Sequence, residues 1–163
     1  MPEFNKIMVA IAFSPYSEGI LQYAANLSKR LGSELIICSI INQRDVNAIK
    51  RIVQLGYEVD SDHYVRGVKA ERKTILDELI EKQGIDQKQI KILFKIGNPV
   101  YELMKTAIAE DVDMIVMGIK ANTGFEQMVV GSVAEKAFRR SPVTIVSYRD
   151  PSIARRLQKR IQV

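Results

Sequence analysis

The chain has 163 residues, 47% apolar and 26% charged, which fits one folded domain with a sizeable core. No apolar run approaches the ~18 residues of a membrane span, and the opening Met-Pro-Glu-Phe-Asn-Lys lacks the pattern of a secretion signal. A single cysteine, Cys38, excludes an internal disulfide, and the net charge of +5 is weighted to the end, where Arg155, Arg156, Lys159 and Arg160 oppose Asp150, so the body does not read as a nucleic-acid surface.

Asn5–Ile11 (N-K-I-M-V-A-I) is short and apolar, and predicts a buried strand. Ser14-Pro15 offers an N-cap followed by proline at the first helical position. Ile20, Leu21, Ala24, Leu27, Ser28 and Leu31 form a helical stripe that Gly32 should stop. Leu35–Ile41 is a second buried strand. Residues 43–84 read as amphipathic helix with a break near Gly56-Tyr57. Gln89–Ile96 is a third strand, and its alternation suits an edge. Gly97-Asn98-Pro99 repeats the cap-plus-proline signal and opens a helix to about Ala109. Met114–Met117 ends a fourth strand, a helix runs from about Val133 to Arg140, and Val143–Ser147 makes a fifth strand.

Strands alternating with helices predict an α/β fold: a single doubly wound, Rossmann-like domain with a five-stranded parallel sheet and helices on both faces. The domain is expected over residues 1–150, with residues 151–163 a basic amphipathic tail in which Ile153, Leu157 and Ile161 recur every fourth position. In such a sheet ligands bind beyond the carboxyl ends of the strands, where the winding reverses. Two loops are placed to meet there, Ala12–Tyr16 and the glycine-rich stretch from Gly118 to Gly131.

That stretch, M-G-I-K-A-N-T-G-F-E-Q-M-V-V-G-S, leads into a helix at Gly131-Ser132. A helix N-terminus presents free N–H groups and about half a positive charge, so it receives an anion. Glycine lets a ligand approach the backbone closely. Ser132 and Glu135 also fit a capping box, which needs no ligand. Gly131 is followed directly by Ser132, with no lysine between, so the stretch is not a P-loop, and no G-x-G-x-x-G occurs. Lys120 and Glu126 lie inside the stretch and read as solvated.

K-I-M-V-A-I-A-F-S-P-Y-S-E at the start, G-N-P at residues 97–99 and D-M-I-V-M-G…G-S-V-A-E-K…S-P-V-T-I-V at 113–146 resemble the universal stress protein family over nearly the whole length. The nucleotide-binding members of that family carry G-x2-G-x9-G-[S/T] after the fourth strand. The pattern falls on Gly118, Ala121, Gly131 and Ser132 with its spacing intact, and Ala121 replaces its second glycine. Ala12 stands where the family usually carries an acidic residue that contacts the nucleotide. The resemblance also brings Ile40 to the adenine, and Met117 and Val133 to the phosphate and ribose. A lost hydrogen bond to a carboxylate costs on the order of 1–3 kcal/mol, or roughly one to two decades of affinity.

The resemblance thus implies a cytoplasmic stress-response sensor or adaptor that binds ATP or AMP weakly, with Mg2+ only alongside bound nucleotide. It implies a homodimer through Val143–Ser147. The alternative is a nucleotide-free homodimeric interaction protein of the same family, its glycine loop structural. The basic tail is expected to pack on the body, or to dock a partner. His63, the one histidine, falls in the helical region between the second and third strands, and no Cys/His cluster has metal-ligand spacing. No histidine is placed to activate Ser14, Ser17 or Ser132, so nothing beyond slow ATP hydrolysis is expected.

Overall fold

Five apolar segments form the strands: β1 Lys6–Ala10, β2 Glu34–Asn42, β3 Ile90–Gly97, β4 Met114–Gly118 and β5 Thr144–Tyr148. The helices are α1 Ser17–Leu31, α2 Gln43–Gln54, α3 Ser61–Gln83, α4 Pro99–Ala109, α5 Ser132–Arg140 and α6 Pro151–Gln158. The structure is a computed structural model and describes residues 3–119 and 132–161. Ala121 and Gly131, two of the predicted nucleotide contacts, lie outside the described residues, as do Lys120 and Glu126.

All four strand pairings are parallel, in the order β3-β2-β1-β4-β5. The chain leaves β1 toward β2 and β3, then returns to β4 beside β1 and continues to β5. The winding therefore reverses between β1 and β4, where Val9 is in register with Val116. On one face Ile7 and Val9 of β1 pack with Ile20, Leu21 and Ala24 of α1 and Leu76 and Ile80 of α3. On the other, Met8, Ile36, Cys38 and Ile115 pack with Leu103 and Ala107 of α4. This is why β1 reads as a continuous apolar run: Ile7, Met8 and Val9 are all 0% exposed. Each such side chain contributes about 1.5–3 kcal/mol by leaving water.

The ends of the elements follow their local chemistry. Gly32 closes α1 at φ 67, a left-handed conformation that favours glycine. Asn98 caps α4 by accepting from the Tyr101 N–H at 3.1 Å, with Pro99 opening the helix. At the amino end of the sheet, Asp113 accepts from the Asn5 and Lys6 N–H groups at 2.8 and 2.9 Å, which ties β1 to β4. β3 is an edge strand, as its alternation predicted.

Two local expectations are corrected. α1 begins at Ser17, not after Ser14-Pro15. The Ser14 N–H donates to Ser17 Oγ at 2.9 Å and the Tyr16 N–H to Ser14 Oγ at 3.2 Å, so this segment is a serine-braced turn that precedes the helix. Ser132 lies within α5, and Glu135 pairs with Arg139 at 3.4 Å instead of reaching back to the Ser132 N–H. The tail is helical from Pro151; Asp150 caps it by accepting from the Ser152 N–H at 2.8 Å, and Ile153 is buried while Ile161 is 67% exposed.

Candidate functional site

The carboxyl ends of β1 and β4 sit side by side, so the loops that follow them begin as neighbours. The start of α5 is brought to the same place by packing. Ala134, in its first turn, and Ala137 form a buried cluster with Met117 of β4, against which Ala10 of β1, Met104 and Ile145 also pack. Small side chains at 134 and 137 let the helix lie close. The start of α5 therefore stands beside the ends of β1 and β4, at the point of reversed winding, and the N-terminus of a helix favours an anion.

The predicted contacts occupy this edge unevenly. Ala12 is exposed in the loop after β1. Ile40 is half-buried near the end of β2, and Ser132 and Val133 are exposed at the start of α5. Met117 is only 6% exposed, with its side chain committed to the α5 cluster, so a ligand would meet its backbone. Gly118 has a structural reason to be glycine: a β-carbon there would stand 2.9 Å from Ile20 Cδ1 of α1. A side chain there would make the end of the Ile20 side chain shift.

The β1–β2 side of the edge holds groups that no local motif announced. Ile11 continues the ladder for one more bond, its N–H donating to the Cys38 carbonyl at 3.0 Å. The chain then turns away, with Phe13 at φ 54. That left-handed conformation is a rare one for a bulky residue. The next carbonyl on this side of β2, that of Ile40, takes a different partner. Arg72 of α3 reaches across and donates from Nη1 to the Ile40 carbonyl at 3.2 Å and to Ser39 Oγ at 2.9 Å. Its guanidinium lies 5.1 Å from the centre of the Phe13 ring.

Arg72 is half-buried, and among the described residues no carboxylate lies within 4 Å of it. Burial lowers its pKa; Tyr64, Asp45 and Glu71 oppose that from a distance. Arginine remains charged all the same. Cys38, beneath this region on β2, is buried, and burial raises its pKa to about 11, so it is a protonated, unreactive thiol at neutral pH.

Elsewhere, His63 lies exposed on α3, and among the described residues no group of three His, Cys, Asp or Glu side chains could hold a metal ion. A groove of about 740 Å3 opens at the amino end of the sheet, between α1 and the end of α3, and Gln83 in its lining keeps a buried Oε1 without a hydrogen-bond partner among the described residues. It lies at the end of the strands opposite the reversal crevice. Among the described residues no helix is long and apolar enough to cross a membrane.

Comparison with known proteins bears on this arrangement as a whole. The model of the universal stress protein family matches residues 3–149. The chain is 32% identical over 147 residues to the universal stress protein YxiE of Bacillus subtilis, covering 88% of this chain and 99% of that protein. It is 25% identical over 153 residues to the universal stress protein MJ0577 of Methanocaldococcus jannaschii, covering 88% and 94%. Among solved structures it is similar in fold to the universal stress protein UspA from Lactobacillus plantarum, with a TM-score of 0.73 at 15% identity over 91% of this chain and 100% of that one. A universal stress protein solved in complex with cAMP gives a TM-score of 0.63 at 18% identity over 91% and 98%.

Proposed function

Because this chain belongs to the universal stress protein family, we propose that it binds an adenine nucleotide, ATP or AMP, weakly at the carboxyl edge of the sheet and serves as a cytoplasmic stress-response sensor or adaptor. The observation that carries this reading is the packing of the first turn of α5 onto the ends of β1 and β4. It sets a helix N-terminus, with Ser132 exposed on it, at the winding reversal, where a phosphate group is favoured by both the N–H groups and the dipole. The sequence pattern from Gly118 through Ala121 to Gly131 and Ser132 supports the same placement. Mg2+ would accompany the nucleotide, held by its phosphates.

Weakness follows from Ala12. A methyl group in the loop after β1 accepts no hydrogen bond, and the lost contact is worth on the order of 1–3 kcal/mol. Calorimetric titration with ATP and AMP tests the reading: heats fitting a dissociation constant in the micromolar to millimolar range are expected. No heat and no thermal shift at millimolar nucleotide would end it. Gly131→Val should abolish binding, because a side chain there blocks the backbone approach to the phosphate.

A second reading keeps the family and drops the ligand: a homodimer through β5, with the loop structural. Gly118 favours it, since packing against Ile20 already accounts for that glycine. Among the described residues β5 is the last strand of the sheet, and an edge strand can pair with a copy of itself. Sedimentation of nucleotide-free protein as a dimer, together with silent titrations, would establish this reading over the first. The basic helix α6 follows directly on that strand and is proposed as a docking element for a partner.

A further inference from the structure

The geometry points to Arg72 as the selectivity element of the crevice: it selects a ligand whose edge facing β2 carries hydrogen-bond acceptors, such as a 6-oxopurine, over one that carries an amino group there. This rests on the reading above of a nucleotide at the carboxyl edge and narrows it, making the adenine of ATP or AMP the more weakly held base. The β2 end stands two strand spacings from β4, roughly 10 Å away. A nucleotide with its phosphate at the start of α5 would therefore reach toward β2 with its base. What it meets there is a ring, Phe13, a guanidinium, Arg72, and the Ile40 carbonyl.

The chemistry of that end is set by who holds the Ile40 carbonyl. β1 leaves the sheet before it can pair with that oxygen, and the oxygen faces the gap that β1 leaves. It is the acceptor an exocyclic amino group would need. Arg72 already donates to it, and Ser39 Oγ fixes the same nitrogen from the β2 side. An amino edge must displace a charged donor from the carbonyl, then sit beside a cation that can only donate. An oxo edge meets no such conflict. Both N–H groups of Nη1 are used within the protein, and the Nε and Nη2 donors have no partner among the described residues. A guanidinium fork matches adjacent acceptors on a purine in the same way that arginine reads the O6 and N7 of guanine. The Phe13 ring lies 5.1 Å from the guanidinium carbon and attracts its charge.

ATP and inosine triphosphate are the probes, since they carry the same phosphates and differ at the purine 6-position, amino against oxo. Titration of the full chain with each is expected to give inosine triphosphate binding about tenfold tighter than ATP. In Arg72→Met, which keeps an apolar stem over Phe13 but no donor, the preference should vanish, mainly through tighter ATP binding. Arg72→Lys keeps charge and stem without the planar fork and should fall between. ATP binding as tightly as inosine triphosphate to the unmodified protein would overturn the assignment and leave nucleotide binding intact. A preference that persists in Arg72→Met would overturn it as well. If neither nucleotide binds any of the three proteins, the nucleotide reading fails, and this inference fails with it.

Discussion

On the β4–α5 side of the carboxyl edge, Gly118 and Ser132 belong to one strand–loop–helix unit, and their chemistry is backbone chemistry: close approach and a helix N-terminus. On the β1–β2 side, Phe13, Ser39 and Arg72 come from a loop, a strand and a distant helix, and their chemistry is that of side chains. On the nucleotide reading proposed above, the first side would recognise a phosphate whatever it is attached to. The second would discriminate among what is attached. The groups on the β4–α5 side lie close together in sequence, while those on the β1–β2 side come from positions that only the fold makes neighbours.

Substitutions on the two sides should therefore fail differently. The largest effect is expected on the β4 side, from Gly118→Val. Its β-carbon meets Ile20 Cδ1 at 2.9 Å, and Ile20 is itself buried, so the protein should lose about 2–3 kcal/mol, read as a drop in the midpoint of urea unfolding. A variant as stable as the parent would show that α1 yields easily there. On the β2 side, Cys38 supplies a pH signature. Its pKa is raised in the folded chain to about 11, so the fold favours the neutral thiol. That contribution is complete below the ordinary thiol range and is lost as pH climbs from there through about 11. Stability should fall by about 2 kcal/mol more in the parent than in Cys38→Ala between pH 8 and pH 11. Parallel pH profiles would contradict it.

Ligand binding sharpens the contrast further. Ala12→Asp places an acceptor on the β1 side, and should tighten ATP binding by up to about tenfold, close to 1.4 kcal/mol. An unchanged titration would mean the loop after β1 does not face the base. The smallest effect isolates backbone strain. Phe13→Ala and Phe13→Gly both delete the ring, but only glycine relaxes at φ 54. The glycine variant should be the more stable of the two by about 1 kcal/mol, against the usual order. If alanine wins, the turn at Phe13 is not strained.

The parallel sheet was legible because burial on both faces leaves an unmistakable mark. Runs such as Lys-Ile-Met-Val-Ala carry no polar phase, and Gly32 and Asn98-Pro99 mark their helix ends by local rules. The element order then left little choice of topology. Ser14-Pro15 misled because the same serine chemistry that caps a helix also braces a turn, and only the position of Ser17 decides between them. Ser132-x-x-Glu135 misled for a related reason: an i,i+4 arginine, Arg139, competes for the glutamate. The glycine pattern was visible as spacing. Its first glycine proved to have a packing duty that spacing cannot reveal, since Ile20 lies on another element. Arg72 left no trace in the sequence at all, being one of many charged residues on an amphipathic helix. Its contact with β2 arises from the Ile40 carbonyl, which β1 leaves without a ladder partner.

Asp113 binds the amino end of β1 across a separation of 107 residues. The central pair of the sheet therefore joins the first strand made to the fourth. A ribosome adding about 5–20 residues per second releases β1 on the order of ten seconds before its inner neighbour exists. For that interval Ile7, Met8 and Val9, the most deeply buried strand of the finished molecule, form an apolar edge open to any other nascent strand. The tie at the centre of the sheet thus closes only after most of the chain has been made.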